Sequence, residues 1–250
     1  MADEDGLLLH VPLGSGPEAV VSGGSSAGVI APGSAPPGFE RDGARGAARF
    51  GRDTCVLYEV AGNFNRSAGT VMMWFRPDWP ADFDDELGRI LWDLRIEHGS
   101  AVADDPSQRW ALVYPSPAGK GRGGRPDDTF GCWRLCLATN RNQYTIGTDQ
   151  RRPDQRTRQA VFGTQQRFAA HTWMHLAVTW ERDAGAIYTD GRLDARGELP
   201  EGLPDKPLPE HMQLGARSSW INAGACGLLA DFRVYSRALD GDEIRARAGL

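Results

Sequence analysis

The sequence predicts an all-β fold: a two-sheet antiparallel jelly-roll sandwich with one short C-terminal helix. Three observations predict it. From residue 47 onward, short apolar segments alternate with turn residues. Helical periodicity is almost absent, and the best segments repeat their apolar residues at a period of two. Hydrophobic residues make up 40% of the 250, enough for a buried core.

Taken in order, residues 6–11 read as a short strand. Residues 14–46 are dominated by Gly, Ser, Ala and Pro, which reads as an extended arm or long loop with no core of its own. The chain is therefore divided into an N-terminal strand and arm over 1–46 and a sandwich over 47–250. Strands are expected near 54–60, 69–76, 88–97, 109–114, 131–138, 173–181, 186–190, 211–215 and 226–235.

Three segments are the most informative. In the first, Val71, Met73 and Phe75 alternate with Thr70, Met72 and Trp74, so both faces are apolar, as in a strand covered on two sides. Pro77 ends it, since proline cannot donate to a ladder. In the second, Met174, Leu176, Val178 and Trp180 share a face. A loop over Arg182 to Gly185 follows, then Ala186 to Thr189 and Asp190-Gly191, a signal for a type I′ turn. The third runs from Gly227 to Tyr235 with Ala230, Phe232 and Val234 on one face. After Leu239, Asp240-Gly-Asp-Glu243 has the form of a capping box that opens a short helix through Ala248.

Together these blocks resemble the laminin-G-like jelly rolls of the concanavalin A-like superfamily. The family pattern is Gly-Thr-x-x-x-Trp-Φ-x-Pro, with Φ apolar, then Trp-x-His-Φ-Ala-x-Thr-Trp. A Tyr-x-Asp-Gly hairpin follows, and a last strand ends in Tyr-x-Arg-Ala-Leu. Gly69 to Pro77, Trp173 to Trp180, Tyr188 to Gly191 and Gly227 to Leu239 match it in that order. The last block carries one extra residue between Gly227 and Asp231. The resemblance spans about residues 47–250 and implies two packed antiparallel sheets, one of them often concave. It leaves the ligand open, because fold does not fix function. The family includes sugar-binding modules, adhesion domains and virion surface proteins.

Catalysis is not expected. Glucanases of this sandwich place two carboxylates on one strand face as acid and nucleophile. The nearest match, Glu181-Arg182-Asp183, lacks the second Glu and falls in a hairpin loop. His171 and His175 are roughly 13 Å apart at strand rise, and His175 matches a family position that favours a packed structural role. Cys132 and Cys136, at the same separation, are too far apart for a disulfide and have no second pair to complete a zinc site, so buried free thiols are expected. No cofactor is expected. The acidic clusters at Asp82, Asp84, Asp85 and Glu86 and at Asp104 and Asp105 offer oxygen ligands for calcium or a solvated loop. Asp231 matches the family's last-strand aspartate and is read as a hydrogen-bond acceptor.

Binding residues are sought among the eight tryptophans and the arginines. Trp74, Trp173 and Trp180 fall at core positions. Trp79, Trp110 and Trp220 fall nearer loop ends, where they could anchor an interface or stack on a sugar. The polar stretch 149–167 carries Arg151, Arg152, Arg156, Arg158 and Arg167, and could dock on an acidic neighbour.

The net charge of −5 gives no basic excess for nucleic acid, and no stretch approaches the roughly 20 apolar residues of a membrane span. The acidic start Met-Ala-Asp-Glu-Asp-Gly does not have the form of a secretory signal. Two functions follow. One is a phage virion surface protein, a capsid or tail decoration made in the host cytoplasm, homo-oligomeric, and held by its arm on a lattice of major capsid or tail protein. On that reading, removing residues 1–46 leaves the sandwich folded. The other is a carbohydrate-binding or adhesion module, extracellular or on a cell surface, with a surface glycan as partner.

Overall fold

The computed structural model describes residues 5–81, 88–95, 109–114, 134–138, 143–147, 168–198, 203, 208–216 and 223–250. Through the first segment run β1 (Leu7–Val11), β2 (Val21–Ser22), β3 (Val29–Ile30), β4 (Gly38–Asp42), β5 (Arg45–Phe50), β6 (Val56–Glu59) and β7 (Ala68–Pro77). Next come β8 (Arg89–Arg95), β9 (Arg109–Tyr114), β10 (Arg134–Ala138) and β11 (Gln143–Gly147). The last part holds β12 (Met174–Glu181), β13 (Ala184–Thr189), β14 (Arg192–Glu198), β15 (His211–Leu214), β16 (Gly227–Tyr235) and α1 (Gly241–Ala248).

Two antiparallel sheets result. The first has the order β14-β13-β12-β7-β16-β1-β2, with the β4–β5 hairpin also joined to β16. The second has the order β11-β10-β9-β8-β15-β6-β3. This is the jelly-roll sandwich the sequence predicts.

The period-two patterns explain the core. Val71, Met73 and Phe75 of β7, Leu176, Val178 and Trp180 of β12, and Leu229, Phe232 and Val234 of β16 point into one cluster. Tyr58, Trp92, Trp110, Leu112, Met212 and Leu214 close it from the second sheet. Phe64 lies against Trp180 with ring centroids 5.1 Å apart and meets Trp110 edge-on at 5.6 Å. Gly69 is required beside that stack, since a Cβ there would sit 2.2 Å from the Trp180 ring.

The other face of β7 is covered too, as its apolar character demands. On one side Met72, Ala177 and Tyr235 pack under Leu239 and Ile244 of the α1 segment. On the other, Trp74 packs with Ala47, Leu228 and Ala230. The helix has the expected capping box: the Asp240 side chain accepts from the Glu243 backbone, and the Glu243 side chain accepts in return.

Three details differ from the sequence reading. Ala230 does not share a face with Phe232 and Val234, because a bulge between Ala230 and Arg233 adds one residue against β7 and reverses the alternation. That bulge coincides with the extra residue in the last sequence block. The loop expected over Arg182 to Gly185 is shorter, with Ala184 already paired to Glu181. The Asp190-Gly191 turn is as expected, both residues at positive φ of 50° and 71°.

The third difference concerns residues 1–46. Rather than forming a separate arm, they add strands to both sheets: β1 and β2 to the first, β3 to the second, and β4 to the hairpin. The boundary at 46/47 falls inside β5. Leu9, Val11 and Leu13 are fully buried in the main core. The polar run between them is tied down by side chains: the Tyr58 hydroxyl donates to the Pro17 carbonyl at 2.8 Å, and Asn63 bonds Ser25 O at 2.8 Å and Gly24 N at 3.0 Å. Few large apolar residues are needed, because these strands are short and lean on the sheets around them.

Candidate functional site

The strand β16 changes neighbour halfway along. Gly227, Leu228 and Leu229 pair with β5, whereas Phe232 to Tyr235 pair with β1. The Ala230–Arg233 bulge sits where the two neighbours part, and Asp231 there has φ of 54°. Such a bulge re-aims a side chain. The Asp231 carboxylate turns to the outer face, where Oδ1 accepts from His10 Nε2 at 2.7 Å and from Arg233 Nε at 3.0 Å. Burial pushes Asp231 upward, but His10 and Arg233 outweigh it and hold the carboxyl below its ordinary range.

An open depression of about 730 Å³ lies over this fork. His10, Pro12 and Gly14 line one side, the hairpin residues Phe39, Glu40, Arg41 and Arg45 line the other, and Ala230 and Asp231 complete it. The two walls meet where Gly14 and Gly46 touch; a Cβ on Gly46 would lie 2.8 Å from the Gly14 Cα.

The hairpin carries the charge. Asp42 pairs with Arg45 across a two-residue turn of Gly43 and Ala44, Gly43 having φ of 63°. The guanidinium carbon of Arg45 lies 3.8 Å from the Trp74 ring centroid and 5.4 Å from that of Trp173. Trp173 is itself fixed, its Nε1 donating to Asp42 Oδ2 at 2.7 Å, and Arg76 donates to the same oxygen at 2.9 Å. Arg49 spans Glu40 at 2.7 Å and Asp78 at 2.7 Å, and its hydrogen bond holds Glu40 below the usual carboxylate range.

The carboxylates here are thus spent on protein donors. A glycosidase acid needs its pKa raised, and its partner carboxylate must face it across the bond to be cut. Glu40 and Asp231 are shifted the other way. Glu181 and Asp183 lie exposed at the β12–β13 turn. Among the described residues, no group of three or more His, Cys, Asp and Glu is placed to hold a metal ion. No helix among them is long and apolar enough to cross a membrane.

The family model of the Concanavalin A-like lectin/glucanases superfamily matches residues 105–245, more than half of the chain. The chain belongs to this superfamily. No curated protein matches it by sequence. Among solved structures it is similar to domain 4 of AbnA, a GH43 extracellular arabinanase from Geobacillus stearothermophilus, in complex with arabinotriose: TM-score 0.65, 15% identity, covering 98% of this chain and 100% of that one. It is also similar to the binding domain of botulinum neurotoxin DC in complex with SialylT, at TM-score 0.62 and 12% identity, covering 97% of this chain and 50% of that one. The same neurotoxin domain in complex with rat synaptotagmin II gives TM-score 0.61 and 12% identity over 96% and 50%. The chain spans about half the length of the neurotoxin domains. At these identities the likeness is one of fold.

Within this superfamily fold, the tryptophans expected at loop ends separate. Trp79 is 5% and Trp110 1% exposed, both in the main core, which corrects the expectation that their rings meet a ligand. Trp79 donates to the Ala225 carbonyl at 2.8 Å and packs on Tyr114. Trp220, Arg151, Arg152, Arg156 and Arg158 lie outside the described residues, as do the acidic clusters at 82–86 and 104–105. Of the two histidines, His171 is exposed and reaches Asp78 at 3.5 Å, whereas His175 is fully buried beside Trp74. Cys55 is buried and Cys226 partly buried; Cys132 lies outside the described residues, and Cys136 is placed only as a member of β10.

His10, Phe39, Arg41 and Arg45 were not singled out by sequence reasoning. One signal was available: Asp42-Gly43 between alternating residues is the same turn dipeptide as Asp190-Gly191, inside a segment whose composition reads as loop.

Proposed function

We propose that the chain is a non-catalytic carbohydrate-binding module whose ligand seats in the depression between β1, the β4–β5 hairpin and the β16 bulge. The observation that carries this reading is the lining. Phe39, 38% exposed, offers an apolar surface to a sugar face, beside arginine donors and engaged carboxylates in a space of sugar size. A site with few polar groups fixed by their neighbours, and no carboxylate tuned for proton transfer, is suited to holding a ligand rather than cleaving it. That two structures of the same fold are complexes with arabinotriose and with SialylT supports the reading.

The lattice-bound alternative draws on an arm in need of outside support. Strands β1 to β5 pair within this sandwich, so order in that segment needs no neighbour.

A glycan array probed with the full chain tests the proposal. Retention of a defined set of glycans, weakened in Phe39→Ala, is the expected result, with no release of reducing ends from the retained sugars. A blank array would dismiss the reading, and measurable hydrolysis would overturn its non-catalytic part.

A further inference from the structure

The charges around the depression are unevenly spent. Glu40 and Asp78 are both held by Arg49, Asp42 by Arg76 and Trp173, and Asp231 by His10 and Arg233. Each of these four carboxylates therefore has its donors. On the basic side, Arg41 and Arg45 line the depression and make no hydrogen bond or ion pair among the described residues. A ligand entering here meets unpaired donors and occupied acceptors.

Arg45 is the more informative of the two, because it is fixed in place. Its guanidinium lies against the Trp74 indole and near that of Trp173, itself anchored to Asp42, so less side-chain freedom remains to be lost on binding. Its charge is also poorly compensated. Burial holds Arg45 below its ordinary pKa, whereas Arg49, Arg233 and Arg237, each with a carboxylate partner, are shifted upward. A planar, partly desolvated guanidinium with free donors matches a carboxylate, which it can bind through two parallel hydrogen bonds.

We infer that the depression takes an acidic sugar, its carboxylate on the Arg45 guanidinium. This rests on the sugar-binding reading above and narrows it to glycans bearing a carboxylate.

The test follows the arginine Nε–H resonances of the full chain during titration with glucuronate, glucose and inorganic sulfate, alongside the glycan array. Glucuronate is expected to shift the Arg45 signal saturably where glucose does not. Arg45→Gln should weaken glucuronate binding roughly 10- to 100-fold, and Arg45→Lys, which keeps the charge but not the fork, should fall between. Equal responses to glucose and glucuronate would overturn the acidic specificity and leave the sugar reading standing. An unmoved Arg45 signal, with glycans retained on the array, would overturn the site. Equal responses to glucuronate and sulfate with a blank array would sink the sugar reading on which the inference rests.

Discussion

The imidazole of His175 meets the indole of Trp74 edge-on, with ring centroids 5.3 Å apart, and neither His175 nitrogen nor Trp74 Nε1 has a hydrogen-bond partner among the described residues. Three polar atoms are thus buried side by side on the outer face of the first sheet. A neutral imidazole tolerates this at some cost; an imidazolium does not. Burial, helped by the Arg233 and Arg45 charges and opposed by Asp231, lowers the His175 pKa to about 4.

A pH dependence follows. The folded pKa is depressed below the ordinary 6.5, so the unfolded chain binds the proton first. The contribution is fully present above pH 6.5 and is lost as pH falls from there to about 4, to a total of about 3 kcal/mol. Urea unfolding at half-unit pH steps should show this slope in the parent chain and a clearly shallower one over the same window in His175→Leu, where the carboxylates Glu40 and Glu243 still contribute near its acid end. The slope is compared, so any change in overall stability from the substitution does not confuse the result. An unchanged slope in the variant would mean that the histidine is not buried as a neutral ring.

The Asp231 carboxylate gives a second window. Its folded pKa is lowered, so its stabilisation is present above the model-peptide value near 4 and fades as pH drops below that. Asp231→Asn keeps the shape and an acceptor oxygen but removes the negative charge that His10 and Arg233 share. With side chains 20% and 14% exposed, that loss is only partly screened. A destabilisation of about 2 kcal/mol is expected at pH 7, shrinking below pH 4. A double-mutant cycle with His10→Gln should show the two changes to be less than additive, since they remove one contact.

Trp79→Ala distinguishes a core tryptophan from a surface one. The ring lies against Phe75, Tyr114 and Phe168. Removing it should cost about 3–5 kcal/mol in denaturant unfolding. A variant of parent stability would restore Trp79 to the surface, as its place near a loop end suggests.

How far the sequence discloses this molecule depends on the range of the interactions. The sandwich was legible because β7, β12 and β16 carry their burial pattern locally: every second residue faces the core, and Pro77 and Asp190-Gly191 mark strand ends. The α1 cap was legible for the same reason, since Asp240 and Glu243 are three residues apart. The depression was not. His10 and Asp231 are 221 positions apart and meet only because β1 lies beside β16. Arg45 finds Trp74 and Trp173 because a hairpin crosses the outer face of the sheet. The β2 to β4 strands were hidden by composition, because Gly, Ser and Pro are compatible with short strands whose partners supply the apolar surface.

The same pairing turns one expectation around. If residues 1–46 were a lattice-seeking arm, their removal would leave a folded sandwich. In this structure the deletion strips β1 from the flank of β16 and takes Leu9, Val11 and Leu13 out of the core. Burial of each such side chain is worth about 1.5–3 kcal/mol, so the three together match much of the 5–15 kcal/mol that holds a domain folded. The β4–β5 hairpin is cut within β5, and the exposed β16 edge is left as a template for aggregation. The truncated chain should therefore be unfolded or insoluble, read by loss of dispersed amide signals in a heteronuclear spectrum. A well-dispersed spectrum from the chain lacking 1–46 would show that the sheet does not depend on β1.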